Sequence, residues 1–209
     1  MDSSRAFLYV FEDKDWFKKF TIMGLISLIP ILGQIVLFGW MIDIIKNVIR
    51  HEPVTLPDLA FGGQLSRGFN VTVIGIVYQL PVIVMAIISA VFYSGNGNER
   101  NYLVLVTCIC LCFVYSIYAI IQYFIYPIAF GRFTETGKIS EGLKLGEIFC
   151  MIKKAPGAIF IALLGAFVAS LIAPLGAIAF GIGVLYTFVY SFAIIGHLFG
   201  QAYNVASGN

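Results

Sequence analysis

Charge is scarce in this sequence. Lys, Arg, Asp and Glu make up 11% of 209 residues, where a water-soluble domain carries about 25%. A chain this poor in charge cannot coat a water-exposed globule, which excludes an ordinary soluble enzyme and a disordered tail. An excess of either sign is also missing: 13 Lys+Arg stand against 11 Asp+Glu, a net charge of +2. That balance gives no electrostatic footprint for nucleic acid, and no nucleic-acid partner is expected. Cysteine occurs four times, at Cys108, Cys110, Cys112 and Cys150, with no CxxC spacing. Metal-binding or redox thiolates need water, a metal or a positive neighbour. The first three lie in an apolar run and are read as small packing residues. Neither a metal site nor a cofactor is expected. The N-terminus lacks the basic start and unbroken apolar core of a signal peptide, so insertion is expected to proceed through the chain's own spans.

What is present is apolar: 60% of residues are hydrophobic and 15% aromatic. A helix needs about 20 apolar residues to cross roughly 30 Å of hydrocarbon. Val71–Tyr93 and Tyr102–Phe130 each meet that length. Gly157–Tyr203 is nearly uncharged and 47 residues long, enough for two crossings. Proline ends a helix and glycine permits a reversal. Ala173-Pro174-Leu175-Gly176 therefore divides that stretch into a hairpin of Gly157–Ile172 and Ala177–Gln201. The first apolar stretch, Phe20–Ile45, reads either as one kinked span or as two short helices folded at Ile29–Gly33.

Two features favour the fold-back. Ser27–Gly39 laid on Ser170–Ile182 matches at six of thirteen positions, and each copy has a proline shortly before a shared Leu-Gly. This suggests a pseudo-repeat relating 13–50 to 157–201 within one integral membrane domain, 1–209; internal repeats are common in membrane folds. The second feature is the basic residues, which collect on the cytoplasmic side. Four lie before the first stretch, three at Lys46, Arg50 and Arg67, one at Arg100, and five from Arg132 to Lys154. A hairpin lets all the richer segments lie inside. The expectation is an all-α, polytopic helical membrane bundle of about six membrane helices arranged as hairpins, the first two short. Both termini face the cytoplasm, and the membrane is the cell membrane.

The connectors carry their own signals. Residues 4–20 mix aromatics with both charge signs, and Trp16, Lys18 and Lys19 suit the headgroup layer, so a short surface helix is expected there. Between Pro53 and Gly63, two prolines and paired glycines predict an irregular inner loop with Gly62-Gly63 as a flexible turn. Residues 140–154 predict an amphipathic inner helix. Ser140 would be its N-cap, Leu145, Ile148, Phe149 and Ile152 its apolar face, and Pro156 its stop. In the fifth segment Ala162, Ala166 and Ser170, and Gly165, Ala169 and Ala173, form rows of small residues that let helices pack closely, inside the bundle or against a second copy.

Polar side chains inside spans face protein or a wet cavity, because lipid offers them no partner. Tyr115, Tyr118, Gln122 and Tyr126 form one stripe at helical spacing, and Tyr186, Tyr190, His197 and Gln201 another; Gln79 precedes Pro81. These nine residues are the candidate lining of a polar cavity for a small solute or a lipid headgroup. The competing reading is interhelical hydrogen bonding. Asp43 and Lys46 are expected to reach headgroups. No nucleophile–base pair, HExxH, Walker loop or dinucleotide fingerprint occurs. No catalytic residue is assigned.

Phe11-Glu12-Asp13 with Trp16 and Lys19, then Gly24-Leu25 with Leu28-Ile29-Pro30-Ile31-Leu32-Gly33, then Gly39-Trp40 with Asp43, Leu56-Pro57-Asp58 and Gly68-Phe69 stand in order along the chain. In these motifs the sequence resembles the prokaryotic membrane-protein family known as domain of unknown function 4013. The resemblance implies a membrane protein without an assigned activity. The function expected is a permease-like bundle handling a small solute or lipid, or alternatively an accessory subunit of a larger complex. A membrane-embedded enzyme acting on a headgroup would need Asp58 or Glu135–Glu147 to converge with Arg67 or Arg132. Membrane lipids are the expected partners, along with other membrane proteins or a second copy.

Overall fold

A computed structural model describes residues 3–52, 55–93, 101–178 and 182–208. Among them are eight α-helices and no strand: α1 Ser3–Leu8, α2 Trp16–Ser27, α3 Leu32–Ile49, α4 Phe61–Tyr93, α5 Asn101–Thr136, α6 Leu145–Lys154, α7 Pro156–Ile172 and α8 Ile182–Ser207. Five of these helices, α3, α4, α5, α7 and α8, are long and apolar enough to cross a membrane. The chain is a helical membrane bundle. α2 has 12 residues, about 18 Å at 1.5 Å per residue, and is too short to cross.

The chain folds as two compact units, one of Met1–Ile74 with Phe124–Asn209, the other Gly75–Tyr123. The larger unit packs α2, α3 and α7 around α8. Its core includes Tyr9, Val10, Phe20, Trp40, Leu56 and Val189, all at most 2% exposed. The smaller unit is the middle of the α4–α5 hairpin.

The fold-back between α2 and α3 lies at Leu28–Ile31. Pro30 has no N–H to continue α2. Gln34 Nε2 donates to the Ser27 carbonyl at 3.2 Å, satisfying one of the open carbonyls at the end of α2. A Cβ at Gly33 would fall 2.0 Å from the Ile26 carbonyl oxygen, so only glycine allows the chain to double back this tightly. Ile31 sits at φ +66°, a conformation costly for a β-branched residue.

Several connectors differ from the sequence reading. Residues 4–20 do not form one surface helix. α1 passes into a 3₁₀ turn, Tyr9–Glu12, and the chain turns again before α2. Ala6, Tyr9 and Val10 are 0–1% exposed, because the polar anchors described below draw the segment inward. Gly62 and Gly63 are not a turn but the first turn of α4; Gly63 leaves room for the Arg67 guanidinium, which would lie 3.2 Å from an added Cβ. Ser140 precedes a 3₁₀ turn, Glu141–Leu143, rather than capping a helix, and α6 begins at Leu145 without a side-chain cap. Arg132 holds that turn, its Nε donating to the Glu141 carbonyl at 3.1 Å. On α6, Ile148 is buried while Leu145 and Phe149 are exposed, so part of the apolar face is uncovered. Most small residues of α7 pack inward: Ala162, Ala166 and Ala169 are fully buried, and a Cβ at Gly165 would meet Leu198 on α8 at 2.5 Å, while Ser170 is exposed.

Candidate functional site

The turn before α2 is fixed by one lysine. An ammonium group has three hydrogens to donate, and Lys19 meets three acceptors. These are Asp13 Oδ2 at 2.9 Å, the Leu56 carbonyl at 2.6 Å and Asp58 Oδ1 at 3.1 Å. Asp13 also accepts from the Leu56 amide at 3.0 Å and, through Oδ1, from the Asp15 amide at 2.8 Å. The Asp13 side chain is 7% exposed and that of Lys19 16%, whereas Asp58 is 92% exposed. Burial works against charge on Asp13. The hydrogen bonds from Lys19 and from the two amides outweigh it and hold this carboxyl below its ordinary pKa. Trp40 Nε1 donates to the Pro57 carbonyl at 3.0 Å, so the same loop is pinned to α3 as well.

Beside this node opens a cleft of about 210 Å³. Asp15, Lys18, Lys19 and Asp58 border it with charge, and Ile22, Met23, Pro57 and Leu59 give it apolar walls. Away from the cleft lining runs a chain of aromatic rings: Phe11 meets Trp16 at 5.3 Å, Trp16 meets Phe17 at 5.7 Å, and Phe17 stacks on Tyr186 at 5.4 Å.

A second ionic group joins α3 to α4. Arg67 Nη2 donates to Asp43 Oδ2 at 2.7 Å, and Nε lies 2.7 Å from Oδ1 as an ion-pair contact without hydrogen-bond geometry. Asp43 is thus held within the protein rather than reaching toward headgroups. Gln64 is fully buried and donates to Asp43 Oδ2 at 3.3 Å and to the Asp58 carbonyl at 2.9 Å. The two helices touch backbone to backbone. A Cβ at Gly39 would sit 1.8 Å from the Gln64 carbonyl oxygen, and one at Gly68 1.8 Å from that of Ile35.

The nine residues of the polar stripes fall into two groups. In the smaller unit, Tyr118 Oη and Gln122 Nε2 both donate to the Tyr78 carbonyl, at 2.5 and 2.6 Å, and Gln79 donates to Gln122 at 3.2 Å. Pro81 has no N–H to bond the Val77 carbonyl, and the next carbonyl, that of Tyr78, receives these side chains from α5. Tyr115 is 47% exposed and lines an apolar groove of about 260 Å³ with Pro81, Met85 and Leu111. In the larger unit, Tyr190 Oη donates to the Phe7 carbonyl at 2.7 Å, and Tyr186 Oη meets Thr21 Oγ1 at 2.9 Å. His197 is buried, stacked on Tyr9 at 4.6 Å and 3.1 Å from Gln201 Nε2. Tyr126 stacks on Phe130 at 5.3 Å. The polar atoms of the α8 stripe fasten the N-terminal segment, with Tyr9 Oη donating in return to the Ala193 carbonyl at 3.0 Å.

Of the acids between 135 and 147, Glu141 and Glu147 converge on Arg132. Its Nη2 donates to Glu141 Oε2 at 2.5 Å and to Glu147, and Lys144 pairs with Glu141 at 2.6 Å. Lys144 first, then Arg132, hold Glu141 below its ordinary pKa. Glu135 accepts from Tyr203 at 2.5 Å. Each of these acids is paired with a cation or a phenol, which makes the group a clasp at the end of α5. Among the described residues no three His, Cys, Asp or Glu side chains gather as metal ligands.

Asp13, Lys19 and Gln64 were not among the residues the sequence singled out for a site; Asp58 and Arg67 were named only for an enzyme reading, and Asp43 only as a headgroup contact. A signal for them existed. Asp13, Lys19, Trp40, Asp43, Pro57 and Asp58 all stand in the motifs that carry the family resemblance, and the fold brings those separate motifs into contact. No curated protein and no solved structure matches the chain. A family model described as protein of unknown function (DUF4013) matches residues 22–182, and the chain belongs to that family.

Proposed function

We propose that this chain is a non-enzymatic protein of the cell membrane that handles a lipid. The observation that carries the reading is the cleft at the base of α2, whose lining combines the charged Asp15, Lys18 and Asp58 with the apolar Ile22, Met23 and Leu59. A lipid has that same division where headgroup meets glycerol and acyl chain. A small solute needs an open polar lining instead, and the hydroxyls and amides of Tyr118, Gln122 and Tyr190 are already bound to backbone carbonyls.

The proposed orientation puts both termini in the cytoplasm. α2 begins among charges at Asp15, Lys18 and Lys19 and ends at a tip of exposed Leu25, Leu28, Ile29, Ile31 and Leu32. Its length of about 18 Å covers roughly half the hydrocarbon. The α2–α3 pair therefore enters and returns on one side, with its cleft at the headgroup level and Trp16 beside it in the aromatic belt. The contact of Asp13 and Lys19 with Leu56 and Asp58 supports a shared side for the N-terminal segment and the α3–α4 connector, which the basic residues assign to the inside. α4, α5, α7 and α8 then return the C-terminus to the inside.

Purification in mild detergent followed by native mass spectrometry tests the reading. A lipid retained at a fixed ratio supports it, and a bare protein contradicts it. A second reading, an accessory subunit of a membrane complex, is favoured by the smaller unit. There Ile76, Ile83 and Ile87 on α4 and Ile109, Phe113 and Ile120 on α5 are 43–67% exposed. The same measurement would show a co-purifying membrane protein in its place.

A further inference from the structure

We propose that the cleft at the base of α2 binds a zwitterionic headgroup, one carrying both a phosphate and an ammonium. This rests on the lipid reading above and names the class of lipid. The argument starts from which charges remain unmatched. All three hydrogens of the Lys19 ammonium have acceptors in Asp13, Leu56 and Asp58, so Lys19 has none to offer a ligand. Lys18, the next residue, is exposed and borders the cleft, and among the described residues no ion pair involves it. Across from it, Asp58 engages Lys19 through Oδ1 and leaves its other oxygen outward, with a side chain 92% exposed. Asp15 is exposed as well, and only its backbone is engaged.

The cleft thus offers one unmatched cation and, beside it, carboxylate oxygens. A headgroup that is only anionic would gain Lys18 but face Asp15 and Asp58. A ligand that is only cationic would face Lys18. A phosphate placed on Lys18 with its ammonium toward Asp58 and Asp15 satisfies both signs. The apolar wall of Ile22, Met23 and Leu59 then receives the first carbons of the lipid.

The test uses the full chain in nanodiscs containing equal phosphatidylethanolamine and phosphatidylglycerol, transferred to mild detergent and weighed by native mass spectrometry. Preferential retention of phosphatidylethanolamine is expected. Lys18→Gln and Asp58→Asn should each lower it by about two- to fivefold, the worth of an exposed ion pair, and Lys18→Arg should keep it. Lys18 is exposed, so its variants should melt with the parent and report binding alone. Added O-phosphoethanolamine distinguishes the source. If it displaces the lipid, the charged rim alone suffices for the zwitterion; if it does not while the variants still act, the zwitterion is recognised as part of a lipid. Retention of phosphatidylglycerol equal to or above phosphatidylethanolamine, or retention unchanged in both Lys18→Gln and Asp58→Asn, overturns the proposal while leaving the lipid reading standing. Retention of no lipid at all sinks the lipid reading itself.

Discussion

A single ammonium group organises the start of the chain. Lys19 is fully matched by three acceptors while 16% exposed, and its principal partner Asp13 is 7% exposed. Removing one member of such a pair leaves the other charge without water or counterion. Lys19→Met is therefore expected to destabilise the protein by about 3 kcal/mol, measured by denaturant unfolding in micelles, whereas Lys18→Met should have almost no effect. Equal losses at the two positions would contradict the assignment. The same pair sets an acid response. Asp13 is held below its ordinary pKa when folded. Its stabilisation is complete above the unfolded value of about 3.9 and disappears as pH falls through the folded value. Asp13→Asn should be less stable than the parent at neutral pH, with the gap closing below about pH 4. In the hairpin, Tyr118 and Gln122 share the Tyr78 carbonyl as acceptor. Tyr118→Phe alone should cost little, since interhelical hydrogen bonds in membranes average about 0.6 kcal/mol. The double change with Gln122→Leu should cost more than the sum of the singles, because either side chain can serve the Tyr78 carbonyl in the other's place and the double variant removes both donors from α5.

Between elements, close backbone approach does most to fix geometry. α3 and α4 cross where Gly39 meets Gln64 and Gly68 meets Ile35, each too close for a Cβ. Gly39→Ala or Gly68→Ala should force the helices apart at the upper end of the about 1–3 kcal/mol that overpacking costs. The same shift should loosen the Asp43–Arg67 ion pair. Thermal unfolding with and without Asp43→Asn checks this: the aspartate change should matter less in the Gly39→Ala background. The helices themselves were legible in the sequence. The breaks at Pro30-Ile31-Leu32-Gly33 and Ala173-Pro174-Leu175-Gly176, and the spans now seen as α4, α5, α7 and α8, follow from apolar length and from residues that cannot continue a helix. The N-terminal segment was not legible, because its mixed pattern of rings and charges is equally consistent with an interfacial helix. Its burial depends on Leu56 and Asp58, some 40 residues away in sequence, and on Tyr190 and Ala193 of α8, more than 180 residues away. The cleft was missed for the same reason. Stripes of Tyr, Gln and His at helical spacing are visible in one helix, while Asp13, Lys19 and Asp58 become a site only once three motifs meet.

For the molecule as a whole, five apolar helices and one short one raise the question of which ends face which side. α2 carries charge at its start and exposed apolar side chains, with no charge, at its tip, a gradient that suits entry to mid-bilayer and return. The lipid reading depends on that path, since it puts the cleft at the headgroups rather than in bulk water or bare hydrocarbon. The most direct measurement is labelling by a membrane-impermeant maleimide in a background with all four cysteines replaced, in vesicles of both orientations. Asp15→Cys and Ser207→Cys should react only when the inner face is exposed, and Ile31→Cys, at the tip, should react in neither. Labelling of Asp15→Cys from the outer face, or of Ile31→Cys from either side, would contradict the account.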